Sequence, residues 1–467
     1  MGIRAQRSSG ISSGLRVAGS LMSIALRLPK SKEGFLAYTF LLVITVGTIL
    51  LSLSPSGQSG DVGLIDALFT ATSATCVTGL SVVDTEQSFS YFGKIIILSL
   101  IQIGGLGLMT FTCFAFAAVG AKISLSSQSL ISEVFYQREK SVTISLFWII
   151  TLTFFIELLG ALLLLADMPP SLGDDERFFA AVFHSISAFC NAGFSTFSDG
   201  LSRVADRPIF LFAISLLTIA GGIGYSVMIE LLEFVLAKLV GKRVACLSLH
   251  TKVVLVTSSL LSVLGVAGLF LFGIGAGHAG ASLSLADSAL YSVFSRTSGF
   301  GTVDLGVVSL PIVLLLIFLM FIGGSPGSCA GGVKTTTLAT CFAALRSELK
   351  GQRDVVLFAR RIPHMALERA SNLIVLAVSF NAFGLLVLSI TESSSGAGLT
   401  ELLFEQVSSF ATVGLSMGIT SSLSSAGKLW IVLSMFVGRI GPMAFALLVW
   451  RERADLIRYP EEHCMIG

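Results

Sequence analysis

A chain of 467 residues that is 54% hydrophobic, 12% charged and of mean hydropathy +0.88 falls outside the ordinary soluble class, whose domains carry about 25% charged residues. A net charge of only +2 points away from nucleic acid as a partner. Seven cysteines (Cys76, Cys113, Cys190, Cys246, Cys329, Cys341, Cys464) without a CxxC pair, and five scattered histidines, offer neither a disulfide frame nor metal-ligand spacing.

In chain order, residues 1–34 are basic and rich in Ser and Gly, and the apolar stretch after them lacks a small-residue cleavage site. They read as a cytoplasmic tail followed by a retained helix. Apolar runs near the ~20 residues that cross a bilayer recur at 35–54, 95–119, 143–166, 209–237, 253–275, 308–322, 371–390 and 429–450. The alternating strands of an outer-membrane barrel are absent. The expected fold is an all-α polytopic membrane protein with eight transmembrane helices.

Charge sets its orientation. Of the 30 Lys and Arg, 22 lie in segments 1–34, 120–141, 238–252, 343–370 and 451–467. Acids such as Asp66, Glu86, Asp175, Asp287 and Glu401 collect between those segments. The positive-inside rule places the basic segments, and so both termini, in the cytoplasm of a cell-membrane protein. Four hairpin-like units follow, 35–121, 142–240, 252–345 and 368–450, with 451–467 as a cytoplasmic C-terminus. The acidic outer face should concentrate cations.

The outer stretches repeat. "FTATSATCVTGLS" (Gly79), "FHSISAFCNAGFS" (Gly193), "YSVFSRTSGFGT" (Gly299) and "FEQVSSFATVGLS" (Gly414) align on a glycine at spacings of 114, 106 and 115 residues, the third more loosely. That is a fourfold internal repeat. A second motif follows each: "IGGLG" (103–107), "AGGIG" (220–224), "IGGSPG" (322–327) and "VGRIG" (437–441). Small residues there let helix backbones approach closely.

Each stretch before its glycine is amphipathic, two or three turns long and too short to cross. It fits a re-entrant half-helix, tolerated at membrane depth only where it lines a cavity or is buried in protein. Four such loops about a pseudo-fourfold axis would turn carbonyl oxygens inward, able to replace the hydration shell of a monovalent cation. Glycine is needed where a Cβ would intrude on the neighbouring loops. The expected filter is Val77, Thr78 and Gly79; Asn191, Ala192 and Gly193; Thr297, Ser298 and Gly299; Thr412, Val413 and Gly414.

These four loops, with "GGSPGSCAGGVKTTT" (323–337) and "GRIGP" (438–442), resemble the Trk/Ktr/HKT superfamily of cation transporters over about residues 35–450. Beginning at the first hairpin, without a further N-terminal helix pair, the chain looks closer to the Ktr-type membrane subunit. Arg296-Thr297-Ser298-Gly299-Phe300 agrees with the family's third-repeat pattern R-T-x-G-F, whereas Pro326 departs from its usual glycine-rich loop. The resemblance implies a homodimer with one pore per protomer on a cytosolic ring of RCK subunits, which alone would carry nucleotide. Glycine at all four filter positions implies K+ as the transported ion, with Na+ permeation or coupling left open.

Residues 323–337 hold five glycines and a proline inside an expected crossing helix, so helix is implausible there. The resemblance makes this stretch an intramembrane gate, with Gly323, Gly324, Gly327, Gly331, Gly332, Lys334 and Arg439 as its residues. A Walker-type phosphate loop is excluded because Val333 separates Gly332 from Lys334 and no strand precedes it. Arg439 is read either as a structural partner of loop carbonyls or of Glu230, or as a fixed charge that opposes cation flow; the two are compatible. His184 reads as a packing residue, Asn191 as a brace for its loop, and Glu157 as a carboxyl in need of a partner. The basic segment 343–370 faces either membrane lipids or the cytosolic ring. No catalytic constellation stands at membrane depth, so no enzymatic activity is expected, and an organic-solute transporter with inverted repeats is disfavoured by the parallel repeats.

Overall fold

A computed structural model describes residues 32–53, 62–107, 142–170, 172–241, 246–275 and 283–449. The expected tail up to residue 31, the segment 108–141 with the lower part of the first unit's second helix, and the C-terminus from 450 onwards lie outside the described residues.

Among the described residues four helices are long and apolar enough to cross a membrane unbroken: α1 (Lys32–Leu53), α4 (Val142–Ala166), α8 (Leu249–Gly275) and α12 (His364–Thr391). At 1.5 Å per residue they reach about 33 to 42 Å, against a hydrocarbon core of about 30 Å. Their apolar windows are only 22–33% buried, and side chains such as Phe154, Leu158 and Phe383 stand exposed. These helices form the lipid-facing wall of a multi-pass membrane protein.

Inside the wall lie four short helices, α2 (Leu64–Thr75), α5 (Asp174–Phe189), α9 (Leu285–Phe294) and α13 (Leu399–Phe410). At 10 to 16 residues none can cross. Every residue from Phe69 to Thr75 and from Phe404 to Phe410 is buried. The first turns carry Asp66, Asp174 to Glu176, Asp287 and Glu401. Acids suit the positive end of a helix dipole and leave the negative C-terminal ends directed at the centre. In α9 the start is fixed by a capping box between Ser284 and Asp287.

The second helices differ from expectation. A break was expected only in the third unit, but in the second and fourth α6 (Pro208–Ile223) and α7 (Tyr225–Leu239) bend by 104°, and α14 (Ser425–Ile440) and α15 (Pro442–Val449) by 105°. The bends sit at Gly224 (φ 96°) and Gly441 (φ 99°), each the fifth residue of the small-residue motif. Gly107 (φ 79°) holds that place after α3 (Tyr91–Gly105), and Pro326 holds it in the third unit. A positive φ ends an α-helix as a C-cap does, and only glycine adopts it without strain. The fifth residue of the motif is therefore where the helix bends in the second and fourth units, and it follows directly on the end of α3 in the first. In the third unit α10 (Leu310–Phe321) stops and α11 (Thr335–Leu349) resumes, so the break is 322–334, shorter at its far end than the expected 323–337.

Boundaries move modestly elsewhere. After α11 a two-stranded ribbon, β1 (Val356–Leu357) paired antiparallel with β2 (Arg360–Arg361), precedes α12. The fourth long helix thus begins at His364, ahead of the apolar run at 371.

The motif glycines have a second role. A Cβ on Gly104, Gly221 or Gly438 would overlap the carbonyl oxygen of Thr75, Phe189 or Phe410, each four residues before its unit's loop glycine. The second helix thereby lies directly on the C-terminal end of its own half-helix. Gly221→Ala is expected to destabilise by about 1–3 kcal/mol through this overlap. Gly268→Ala meets only the end of the Leu315 side chain at 2.6 Å and should be neutral. Thermal midpoints in detergent compare the two, and equal midpoints would contradict the packing argument.

Candidate functional site

The four half-helices end in one repeated backbone device. Two residues before each loop glycine stands a non-glycine residue in the left-handed region: Val77 (φ 59°), Asn191 (59°), Thr297 (78°) and Thr412 (51°). The glycines are left-handed too, at 92°, 68°, 69° and 93° for Gly79, Gly193, Gly299 and Gly414. Left-handed non-glycine residues cost about 1–3 kcal/mol each and persist only where the surroundings enforce them. Here they close Schellman-type helix ends. The amide of Thr78 donates to Ser73 O (2.8 Å), that of Ala192 to Ser187 O (2.7 Å) and that of Val413 to Ser408 O (2.8 Å).

The serine six residues before the glycine also uses its side chain. Ser73 Oγ accepts from the Gly79 amide at 3.1 Å, Ser408 Oγ from the Gly414 amide at 3.1 Å, and Ser187 Oγ donates to Phe194 O at 2.8 Å. The third unit has Val293 at that position and one more residue between helix end and left-handed turn. Its Ser298 amide returns to Phe294 O at 3.0 Å instead. The third loop thus closes its helix end differently, while its glycine stays in register with the others.

The loops meet in a closed ring. A Cβ on Gly79 would strike Ala192 O, on Gly193 Ser298 O, on Gly299 Val413 O, and on Gly414 Thr78 O, each at 2.6 Å or closer. Each glycine thus lies against the carbonyl that precedes the next unit's glycine, in the order one, two, three, four, one. Thr78 O is also 3.2 Å from the Cβ position of Gly299, on the loop diagonally opposite, so this carbonyl points into the ring. Of the expected loop residues, Thr78, Gly79, Ala192, Gly193, Ser298, Gly299, Val413 and Gly414 meet in these contacts, with Val77, Asn191, Thr297 and Thr412 as the left-handed residues next before them. The hydroxyls of Thr75, Thr78 and Thr412 are buried without a hydrogen-bond partner. Buried polar atoms left unpaired are costly, so oxygens lining this centre suit an occupant that is polar or cationic.

Cross-links hold the ring. With its amide turned so that the oxygen faces Thr297 Oγ1 (3.3 Å), Asn191 donates to Thr218 O (3.1 Å) and Ala188 O (3.0 Å), which joins the second and third loops. At the outer edge Glu86 accepts from the Ser198 amide (2.6 Å) and hydroxyl (2.8 Å) and pairs with Arg203 at 3.4 Å. Partial burial would raise the Glu86 carboxyl, but the Ser198 bonds and the Arg203 guanidinium outweigh it and hold it below the ordinary value. Lys428 bridges to Asp66 at 2.8 Å and ties the fourth unit to the first.

Against the inner ends of the loops lies the third-unit break. Its two ends are pinned together by Gly323 N to Val333 O (2.9 Å), and it touches every unit. Cys329 Sγ donates to Gly105 O at 3.2 Å, and the Ser325 and Cys329 amides donate to Gly222 O (3.1 Å) and Gly221 O (3.3 Å). A Cβ on Gly331 would collide with Thr412, and one on Gly323 would fall 3.4 Å from Thr297 Cγ2. Gly324 is backed by Gly222 O and Gly332 by Ala411, whereas Gly327 is open and its carbonyl accepts from the Tyr225 amide at 3.1 Å. Lys334 Nζ curls back onto Ala330 O at 2.5 Å.

Arg439 donates to Cys329 O in the break and to Gly104 O in the first unit. Of the partners expected for it, loop carbonyls hold and Glu230 does not; Glu230 accepts from the Ser248 amide (2.6 Å) and hydroxyl (2.7 Å), and from the Thr251 hydroxyl.

Glu157 finds the partner the sequence did not name. Gln102 Nε2 donates to both of its oxygens at 3.1 Å, from the second helix of the preceding unit. His184 is fully buried, bonded to Ala180 O (2.8 Å) and Ser195 Oγ (3.0 Å) and stacked on Phe197, as a packing residue should be. Sequence reasoning missed Gln102, the bracing serines and the buried Glu405, whose carboxylate accepts from Thr420 at 2.5 Å. Only the serines left a signal, their recurrence six residues before three of the glycines.

A membrane protein in which four re-entrant segments form one backbone ring belongs to the class built for passing small ions rather than for turning over bound substrates. The family model described as TrkH, cation transport protein, matches residues 29–454. The chain belongs to that family. It is 36% identical over 437 residues to the Ktr system potassium uptake protein B of Bacillus subtilis, covering 92% of this chain and 96% of the relative. It is 36% identical over 458 residues to the potassium/sodium uptake protein NtpJ of Enterococcus hirae, covering 96% and 100%. The crystal structure of the potassium transporter TrkH from Vibrio parahaemolyticus shares the fold with a TM-score of 0.65 at 18% identity, covering 91% of this chain and 86% of that one.

The Gln102–Glu157 pair makes a test of the packing around this site. Gln102→Leu leaves the buried carboxyl with only the Cys190 thiol at 3.9 Å as a donor and should cost about 1–3 kcal/mol. Adding Glu157→Leu should restore much of that loss, because a fully apolar replacement removes the orphan. Thermal midpoints of the single and double variants decide it; a double variant less stable than the single would refute the pairing.

Proposed function

We propose that this chain is the ion-conducting membrane subunit of a potassium-uptake system, with a filter formed by the four loops and a gate formed by residues 322–334. The observation that carries this reading is the closed ring of four glycines, each set against the carbonyl of the next loop. In the filter, the carbonyls of Val77, Thr78 and Gly79 and of their counterparts in the other loops replace the hydration shell of K+. The negative ends of four half-helices favour a cation at the same point. K+ is chosen because relatives that match this chain over most of their length are named as potassium uptake proteins.

The gate reading rests on position. The break lies directly beneath the ring, contacts all four units, and consists of small residues with Lys334 and Arg439 as its nearest fixed charges. Arg439 both tethers the loop through Cys329 O and opposes cation entry. The orientation with both termini in the cytoplasm, the homodimer and the regulation by a cytosolic nucleotide-binding RCK ring belong to the same proposal and rest on charge segregation and family resemblance. A second reading, sodium permeation or sodium coupling on the same fold, is favoured by the potassium/sodium name of the Enterococcus relative.

Rubidium uptake into liposomes holding the purified protein, with its cytosolic ring supplied, tests the proposal; absence of cation-selective flux would sink it. Replacement of each loop glycine by serine in turn should cut discrimination of K+ from Na+ roughly tenfold, about 1.4 kcal/mol in relative barrier. Arg439→Gln should raise flux several-fold, whereas an unchanged rate in a well-folded variant would remove Arg439 from the gate.

A further inference from the structure

A groove runs along the third unit, bounded by α8, by both halves of the broken second helix, α10 and α11, and by Val356, Leu357 and Phe358 at the ribbon. It encloses about 640 Å3, within the usual range of small-ligand sites. Its walls are apolar: Val256, Leu260 and Leu264 from α8, Phe318 from α10, and Leu338 and Phe342 from α11. One end is different. Arg346, in the last turn of α11, and Lys350, which caps that helix, lie there four residues apart and both exposed, beside Ser347 and Gln352.

Among the described residues no carboxylate forms a salt bridge with Arg346 or Lys350. Asp354, the acid of the following turn, is taken by Arg361 at 3.0 Å. Glu348, two residues from each cation, projects from the other side of the helix. Lys252, at the start of α8, adds a further positive charge near that end of the helix.

The dimensions match one leaflet. From Val253 to Leu264 α8 rises about 16 Å at 1.5 Å per residue, close to half of the ~30 Å hydrocarbon thickness. A basic mouth above an apolar channel of one-leaflet depth complements an anionic phospholipid. We propose that this groove is a phospholipid site. The phosphodiester pairs with Arg346 and Lys350, and an acyl chain lies between α8, α10 and α11. Because α10 and α11 carry the two ends of the 322–334 break, an occupant rests on both supports of that loop. The binding claim stands by itself; only its effect on ion flux rests on the function proposed above.

Native mass spectrometry of the delipidated full-length protein tests the site, with phosphatidylglycerol and phosphatidylcholine as probes. The parent should bind phosphatidylglycerol about tenfold more tightly than phosphatidylcholine, and R346A/K350A should lose that preference. Leu260→Trp, which fills the channel, should weaken both lipids, while Arg360→Ala on the neighbouring ribbon should leave binding unchanged. Phosphatidylglycerol retained by R346A/K350A overturns the site, as does an equal loss in Arg360→Ala, which would mean diffuse attraction to the basic surface. A change of oligomeric mass without a change in lipid adducts would assign the groove to a second copy of the chain and also overturn the proposal. R346A/K350A alters only exposed side chains, so its thermal midpoint should match the parent's and its binding result stands even if Leu260→Trp misfolds.

Discussion

The structure depends on four absent side chains. At Gly79, Gly193, Gly299 and Gly414 the backbone of one unit touches the backbone of the next, and a methyl group at any of them would meet a carbonyl oxygen. Backbone cannot yield as a rotamer can, so this contact fixes the distance between units far more strictly than apolar packing does. The left-handed residues two positions earlier follow from it. Val77, Asn191, Thr297 and Thr412 hold a disfavoured conformation because the helix end must be capped while the chain turns toward the ring. The close approach of Gly104, Gly221 and Gly438 to half-helix carbonyls adds a second layer of the same kind, so each loop is gripped by its neighbour and by its own second helix.

That arrangement puts many polar residues inside, alongside the apolar core. The outer wall shows Leu, Phe and Val to lipid, while the interior is crowded with Ser and Thr, among them Thr70, Thr72, Ser73, Thr75 and Thr78. In a bilayer no aqueous penalty drives apolar side chains together, so small residues and interhelical hydrogen bonds do the holding. Most interior hydroxyls are satisfied locally, as Thr70 and Thr72 are by carbonyls one turn back. Among those that are not, Thr75, Thr78 and Thr412 lie where the half-helices of the first and fourth units end.

Much of this was legible in the sequence, for a specific reason. A fourfold repeat prints the same constraint four times, and a glycine in register with three others stands out where a single one would not. The half-helices, the ring residues and the third-unit break could all be read that way. The bends at Gly224 and Gly441 could not, because glycine in a membrane helix serves packing as readily as breaking, and only the backbone angles separate the two. Glu157 could be seen to need a partner, but Gln102 lies 55 positions away on another unit, beyond any local pattern. The starts of α8 and α12 were misjudged for a simpler cause: a helix runs on past its apolar run into polar residues that hydropathy does not count.

Two of the departures from fourfold symmetry lie in the second helices, and they touch. The third second helix replaces a single bend by the 322–334 break, and the fourth motif replaces its second small residue by Arg439. Arg439 reaches across to Cys329 O in the break and to Gly104 O in the first unit. A guanidinium at membrane depth costs about 2.5–3.5 kcal/mol unless satisfied, and these carbonyls satisfy it without neutralising it. The charge therefore remains, held beneath the ring by the least regular segment of the chain. Any rearrangement of that segment must either carry the charge with it or leave it unpaired. Loop position and local potential are thus one variable, which an acidic partner for Arg439, by cancelling its charge, would have separated.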